Sequence, residues 1–166
     1  SIAHNVINLE IQALKSLKKS LNKNFEKAVN EIINCKSKII LCGVGKSGLI
    51  ASKIASTMSS VGSPAFSLSA NDCLHGDLGS ISKKDLLILI SNSGKSQELL
   101  PIIKFANRNK IKLIGIVSRK DSSLYRGADI RILLPEVKEA GLDIVPTSST
   151  SVQLAIGDAL AIAALN

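Results

Sequence analysis

The sequence predicts a doubly wound α/β domain on about five parallel strands. Two observations carry that prediction. From residue 38 onward, short β-branched or leucine-rich runs alternate with helical stretches, which is the β-α-β pattern of such domains. Two of the runs, at 86–90 and 113–117, are apolar without alternation, as strands are when a parallel sheet is covered on both faces.

The elements follow in order. Residues 4–35 read as two helices. The first carries Val6, Ile7, Leu14, Leu17 and Leu21 among lysines. In the second, Phe25, Ala28, Val29, Ile32 and Ile33 recur at helical spacing, and Asn22 is placed to cap it. Strands are expected at 38–42, 65–68, 86–90, 113–117 and 130–134, with helices at 48–60, 96–109, 122–127 and 149–165. The last helix is apolar nearly all round, so it should be buried on most sides, against its own sheet and against another subunit.

Size and composition narrow the class. A chain of 166 residues has the length of one domain, with N-terminal helices over 1–36 and an α/β core over 37–166. Its 45% hydrophobic content excludes disorder for most of its length. The most apolar stretch, Leu154 to Leu165, is short for a membrane span and carries Asp158. No charged-then-apolar leader opens the chain, so export is not expected, and Ser1 in place of Met suggests a trimmed end. Three cysteines, Cys35, Cys42 and Cys73, without a C-x-x-C pair, suit a reducing cytoplasm better than a disulfide framework or a thiolate zinc site. The net charge of +8 is scattered over several segments, and there is no Trp among few aromatics. Solvated lysine faces are therefore expected, rather than nucleic-acid binding.

In open parallel sheets ligands bind at the carboxyl ends of the strands. Gly43-Val44-Gly45-Lys46-Ser47-Gly48 follows the first strand and opens a helix, and Gly45, Lys46 and Ser47 there suit a phosphate or a substrate oxyanion. It formally matches G-x-G-x-x-G, but no acid ends the next strand to hold a ribose, and a Walker loop fails at Ile40. A glycine turn needed only for packing is the alternative. Ser91-Asn92-Ser93-Gly94-Lys95-Ser96 follows the third strand, and Ser91, Asn92, Ser93 and Ser96 offer a hydroxyl-rich phosphate cradle or, more plainly, a helix cap. His75, flanked by Asp77 and two glycines, sits in a loop. Pro146-Thr147-Ser148-Ser149-Thr150 opens the last helix, with Thr147 and Ser148 as further anion ligands or redundant caps. Glu98 begins the helix after the serine loop and could instead close a capping box. Glu139 lies in an irregular stretch and could be a solvated charge. Together these residues describe a phosphate pocket with two candidate carboxylates and no metal cluster, suited to proton transfer on a small phosphorylated molecule.

The glycine loop, His75-Gly76-Asp77-Leu78-Gly79, Ser91-Asn92-Ser93-Gly94, Lys138-Glu139-Ala140, the Pro146 segment and Gly157-Asp158-Ala159-Leu160-Ala161 come in the order of the sugar-isomerase (SIS) domain family. Over about 40–161 the chain resembles that family, and within it the arabinose-5-phosphate isomerases. The resemblance implies a flavodoxin-like sheet, a homotetramer with active sites shared between subunits, no cofactor, and interconversion of D-ribulose 5-phosphate and D-arabinose 5-phosphate on the way to the Kdo sugar of lipopolysaccharide. By motif position Lys46, Glu98 and Glu139 fall on catalytic residues, His75 on a histidine near the substrate, and Ser91, Ser93 and Ser96 on phosphate ligands. The proposed chemistry is a cis-enediol path, with Glu98 or Glu139 as base and Lys46 beside the enediolate oxygen.

Two departures stand out. Lys95 occupies a place where the family normally has an acid. The family also carries a catalytic His-Pro segment beyond the last helix and a pair of CBS modules, whereas this chain ends at Asn166. It is expected to be an isolated SIS domain of a longer protein or a short form with altered chemistry. Other readings are a non-catalytic sugar-phosphate sensor, an isomerase of another phosphosugar, or a nucleotide-binding module. A sensor would carry a helix-turn-helix ahead of the domain, for which residues 1–35 are too few, and Lys46, Glu98 and Glu139 together favour an enzyme.

Overall fold

In the computed structural model, which describes residues 1–165, Asn166 at the end of the expected core lies outside the described residues. Helix α1 (Ile2–Ser20) starts at Ser1, and α2 (Lys23–Asn34) starts at Asn22, whose side chain accepts a hydrogen bond from the Asn24 N–H at 2.8 Å. Strands β1 (Ile39–Gly43), β2 (Ala65–Ser69), β3 (Leu86–Ser91), β4 (Lys112–Val117) and β5 (Ile130–Leu133) form one parallel sheet in the order β2-β1-β3-β4-β5. This is the flavodoxin-like order. Its topological switch point lies between β1 and β3, where the chain leaves β1 for one edge and returns on the other side.

Burial on both faces explains the unbroken apolar runs. Ile39, Leu41, Leu86, Ile88 and Ile90 point into one layer with α1, α2, α3 (Lys46–Ser60) and α7 (Ser148–Leu165). Ile40, Cys42, Leu87 and Leu89 point into the other, with α4 (Ala70–Cys73), α5 (Leu100–Arg108) and α6 (Ser123–Gly127). Residues 1–34 are thus half of one covering layer rather than an appendage.

Several boundaries differ from the sequence reading, each for a local reason. Helix α3 starts at Lys46, not at 48, because Gly45 at φ +60° turns the chain into the helix early. The stretch expected as one helix over 96–109 is a 3₁₀ turn, Gln97–Leu99, followed by α5, whose first turn holds Pro101, a residue with no N–H to give. The His75 segment contains α4 and a 3₁₀ turn, Asp77–Ser80, where a plain loop was expected.

Helix α7 runs 18 residues with mean hydropathy 1.3, long and apolar enough by length and composition to cross a membrane, which the shorter apolar run read from sequence was not. Here Val152, Ile156, Leu160 and Ala161 enter the core against α1, α2 and α3. A Cβ on Gly157 would come 2.2 Å from the Ile54 side chain, so the glycine sets how closely α7 and α3 approach.

Candidate functional site

The glycine loop leaves β1 at the switch point. A Cβ on Gly43 would fall 2.7 Å from the Ser47 carbonyl, and one on Gly48 would fall 2.9 Å from the Gly43 oxygen, so both glycines are required for the tight strand-to-helix turn. Gly45 gives α3 no side-chain cap. The Gly48 N–H turns back to the Gly45 carbonyl at 3.0 Å, which leaves the Lys46 and Ser47 N–H groups for a ligand or water. Lys46 is exposed and makes no ion pair among the described residues. The half-buried Ser47 donates its hydroxyl proton to the Gln153 amide oxygen at 3.2 Å.

The serine loop leaves β3 beside it and is pinned from three directions. Ser91 is buried, and its hydroxyl accepts from the Gly94 N–H at 2.9 Å. The Asn92 amide oxygen accepts from the Ser118 hydroxyl at 2.8 Å, and the Asn92 carbonyl accepts from the Ser118 N–H at 3.0 Å. Gly94, at φ +66°, carries the closest packing: a Cβ there would lie 2.4 Å from the Ser122 hydroxyl and 2.5 Å from Val117. Ser91 and Asn92 are thus used mainly to shape the loop. Ser93 is exposed, and its hydroxyl accepts from the Lys95 N–H at 3.2 Å. Ser96 makes no side-chain cap. Lys95 pairs with Asp121 at 2.9 Å, and that hydrogen bond, reinforced by the ammonium charge, holds the Asp121 carboxyl below its usual range.

Glu139 is not a solvated loop charge. Its carboxylate accepts from the Ser149 N–H at 2.7 Å, the Ser149 hydroxyl at 2.6 Å and the Thr147 N–H at 3.3 Å. It therefore fills the N-terminus of α7, the place where the hydroxyl run had suggested an anion. The Thr147 hydroxyl accepts from the Ala140 N–H at 2.9 Å, and Ser148 is wholly buried, its hydroxyl without a hydrogen-bond partner among the described residues. The anion at this helix start is the chain's own glutamate, so Thr147 and Ser148 offer it no free hydroxyl face.

A cavity of about 310 Å³ opens at the carboxyl ends of β3 and β4, lined by Asn92, Ser118, Arg119, Glu136, Val137, Glu139 and Asp143. It brings the serine loop and Glu139 to one space through Asn92; Ser93 does not line it. Ser118 and Arg119 were missed in the sequence, although the rule that strand ends carry the chemistry applied equally to the strand at 113–117. A second cavity, of about 270 Å³ beside Lys112 and Asp129, lies at the amino end of β4, away from these loops.

The remaining candidates stand free. Glu98 is exposed in its 3₁₀ turn, and no capping box forms. His75 is exposed beyond α4, with Gly76 at φ +119°, and lines no cavity described for this chain. Below the glycine loop, the Cys42 thiol is pushed upward by its hydrogen bond with Cys73 and by burial. Among the described residues no group of His, Cys, Asp and Glu side chains could hold a metal ion.

The chain matches the SIS domain family over residues 31–163. It is 45% identical over 161 residues to the arabinose 5-phosphate isomerase KdsD of Francisella tularensis, covering 95% of this chain and 49% of that protein. It is 41% identical to the KdsD of Escherichia coli (strain K12), covering 96% of this chain and 49% of that protein. The chain thus spans about half the length of the curated relatives it matches. Among solved structures, an E. coli CFT073 protein in complex with arabinose 5-phosphate superimposes with a TM-score of 0.94 at 34% identity, covering 98% of this chain and 87% of that one.

Proposed function

The chain belongs to the SIS domain family, and on that premise we propose that it is the catalytic domain of an arabinose-5-phosphate isomerase, converting D-ribulose 5-phosphate and D-arabinose 5-phosphate into one another. The observation that carries this reading is that an uncapped helix start bearing Lys46 and the pinned serine loop leave neighbouring strands, β1 and β3, at the switch point. That arrangement gives an anion site and a cation side by side, as a sugar phosphate needs. Relatives called arabinose 5-phosphate isomerase at 41% and 45% identity, and a neighbour in complex with arabinose 5-phosphate, supply the substrate.

In this reading Ser93, Ser96 and the loop N–H groups take the phosphate, with Ser91 and Asn92 holding the loop in shape. From the aldose, a carboxylate removes the C2 proton. The electron pair becomes the C1–C2 double bond of a cis-enediol, the proton returns at C1, and the O2 hydroxyl proton passes to O1 as the ketone forms. Glu139 is the better placed base, because its donors fix its direction and it lines the cavity; Glu98 is the alternative. Lys46 stabilises the enediolate oxygen, and Gly45 and Ser47 shape its helix start. His75 moves the hydroxyl proton or opens the ring.

Active sites shared in a homotetramer suit the exposed apolar side chains near these groups. Leu49 follows Lys46 by one turn at 72% exposure, and Leu142 and Ile144 follow Glu139 at 91% and 74%. In this reading the chain is one SIS domain acting in the cytoplasm towards Kdo and lipopolysaccharide, on a small-molecule sugar phosphate, without cofactor, metal, nucleic acid or membrane. The test is an NMR assay of the protein with ribulose 5-phosphate. Resonances of arabinose 5-phosphate are expected, and their absence at high enzyme concentration, with another phosphopentose or phosphohexose turned over instead, would refute the substrate.

A further inference from the structure

Gln153 sits where an apolar residue would be expected. It is 1% exposed on α7, between Val152 and the core residues Ile156 and Leu160. Ordering a buried glutamine costs about 1.5–2 kcal/mol of side-chain freedom, and its amide must also leave water. A methionine of similar length would fill the site without that second cost.

The amide has one partner, the Ser47 hydroxyl in the first turn of α3. Its nitrogen, wholly shielded, has none among the described residues. Turning the amide over would move the deficit to the oxygen, not remove it. An unpartnered buried amide costs about 1–3 kcal/mol, so a packing role alone does not account for it.

We propose that Gln153 is a positioning residue of the sugar-phosphate site, acting through the Ser47 hydroxyl. The inference rests on the sugar-phosphate reading above. Ser47 gives its proton to Gln153 and is left with lone pairs only. With the amide oxygen turned to Ser47, as the structure has it, the hydroxyl accepts from a donor, so its partner is a substrate hydroxyl rather than a phosphate oxygen. The phosphate stays with the serine loop, and α3 receives the polyol end of the sugar. Gln153 thus sets the polarity of Ser47 from behind, without touching substrate.

The experiment compares Gln153→Met, Ser47→Ala and the double variant by thermal melting, by titration with arabinose 5-phosphate, and by steady-state kinetics. Gln153→Met should melt at or above the wild-type temperature, because an apolar side chain replaces an unsatisfied amide. Its KM and its dissociation constant for arabinose 5-phosphate should each rise about fivefold to tenfold, the worth of one hydrogen bond, with kcat within about twofold. Ser47→Ala should raise both constants by the same factor but melt lower, because it strips the buried amide of its one partner, and the double variant should raise them no more than either. A Gln153→Met protein that melts lower with unchanged KM and affinity would overturn the inference, as would losses that add in the double variant. If the wild type binds arabinose 5-phosphate without converting it, the isomerase reading fails, and the Gln153 inference is judged on the dissociation constants. If it binds none, both fail.

Discussion

Glu139→Gln separates two duties that the structure gives to one carboxylate. Three donors converge on it at the start of α7, at 2.6, 2.7 and 3.3 Å. Hydrogen bonds to a charged group contribute about 1.5–3 kcal/mol, and a negative charge at a helix start about 0.3–1 kcal/mol more. A glutamine keeps one accepting oxygen but turns an N–H₂ group towards donors, so about 2 kcal/mol should be lost. For a chain of this length, each kcal/mol moves the melting temperature by about 2–4 °C, giving a fall of about 4–8 °C. The rest of the fold should survive, because total stability is about 5–15 kcal/mol. Turnover should drop by about 10²–10⁴ if the carboxylate is the base. Melting followed by circular dichroism, with the isomerase assay run well below the lower transition, reads both. Glu98→Gln is the control: Glu98 is exposed in its 3₁₀ turn with no capping bond, so its melting point should not move. A Glu139→Gln protein that melts with the wild type would refute the capping energetics. One that melts lower yet turns over normally would leave Glu139 a helix cap and pass the base to Glu98.

Other expectations follow from the same geometry. Lys46→Ala should lower kcat by at least about a hundredfold with little change in melting, since Lys46 is exposed and makes no ion pair among the described residues; near-normal turnover would remove it from the chemistry. Ser93→Ala should act on KM for ribulose 5-phosphate, and an unchanged KM would contradict its phosphate role. Gly94→Ala meets Ser122 and Val117 at 2.4–2.5 Å and a φ of +66°, so it should cost on the order of 3 kcal/mol and loosen phosphate binding, read by melting and by KM. Asp85 is pushed up by burial, but hydrogen bonds from Ser37, the Ser82 and Lys38 N–H groups and the Lys38 ammonium outweigh this and hold it at about 2, against an ordinary 3.8. With the folded value depressed, its stabilisation of about 2 kcal/mol is present above about pH 4 and is lost as pH falls towards about 2. Asp85→Asn should remove that part of the acid transition in denaturation curves.

The sheet was legible because its strands carry the signal on both faces. Runs such as Leu86–Ile90 have no polar face to confuse, and residue 38 onward alternates with helices on schedule. The glycine and serine loops were legible for a related reason: only glycine tolerates φ +60° with ψ −128° at Gly45 and the contacts at Gly43 and Gly94, so backbone need is written into residue type. Less legible were the side-chain assignments. A hydroxyl run at a helix start reads the same whether the anion it awaits is a substrate or the chain's own Glu139, ten residues before Ser149 and reached only through the turn at Gly141, Leu142 and Asp143, all at positive φ. Nor does the sequence tell a glutamine inside an apolar helix from a surface one until α3 packs against it.

The distribution of restraint around the strand ends bears on mechanism. The groups that would hold the phosphate and the base are fixed: Gly94 is wedged against Ser122, Asn92 is tied to Ser118, and Glu139 is held by three donors. Lys46, His75 and Glu98 are exposed and without an ion pair among the described residues, beside apolar side chains such as Leu49 and Leu74, which are 72% and 44% exposed. A fixed cradle on one protomer and unrestrained polar groups beside uncovered apolar ones on the same edge is the division expected of a site that is completed when a second subunit covers it. Ordering Lys46 and His75 would then come with assembly, and it follows that activity per chain should rise with protein concentration through the dissociation constant of the oligomer. Constant specific activity from nanomolar to micromolar chain, with a monomer throughout by sedimentation, would show that the site is complete in one chain.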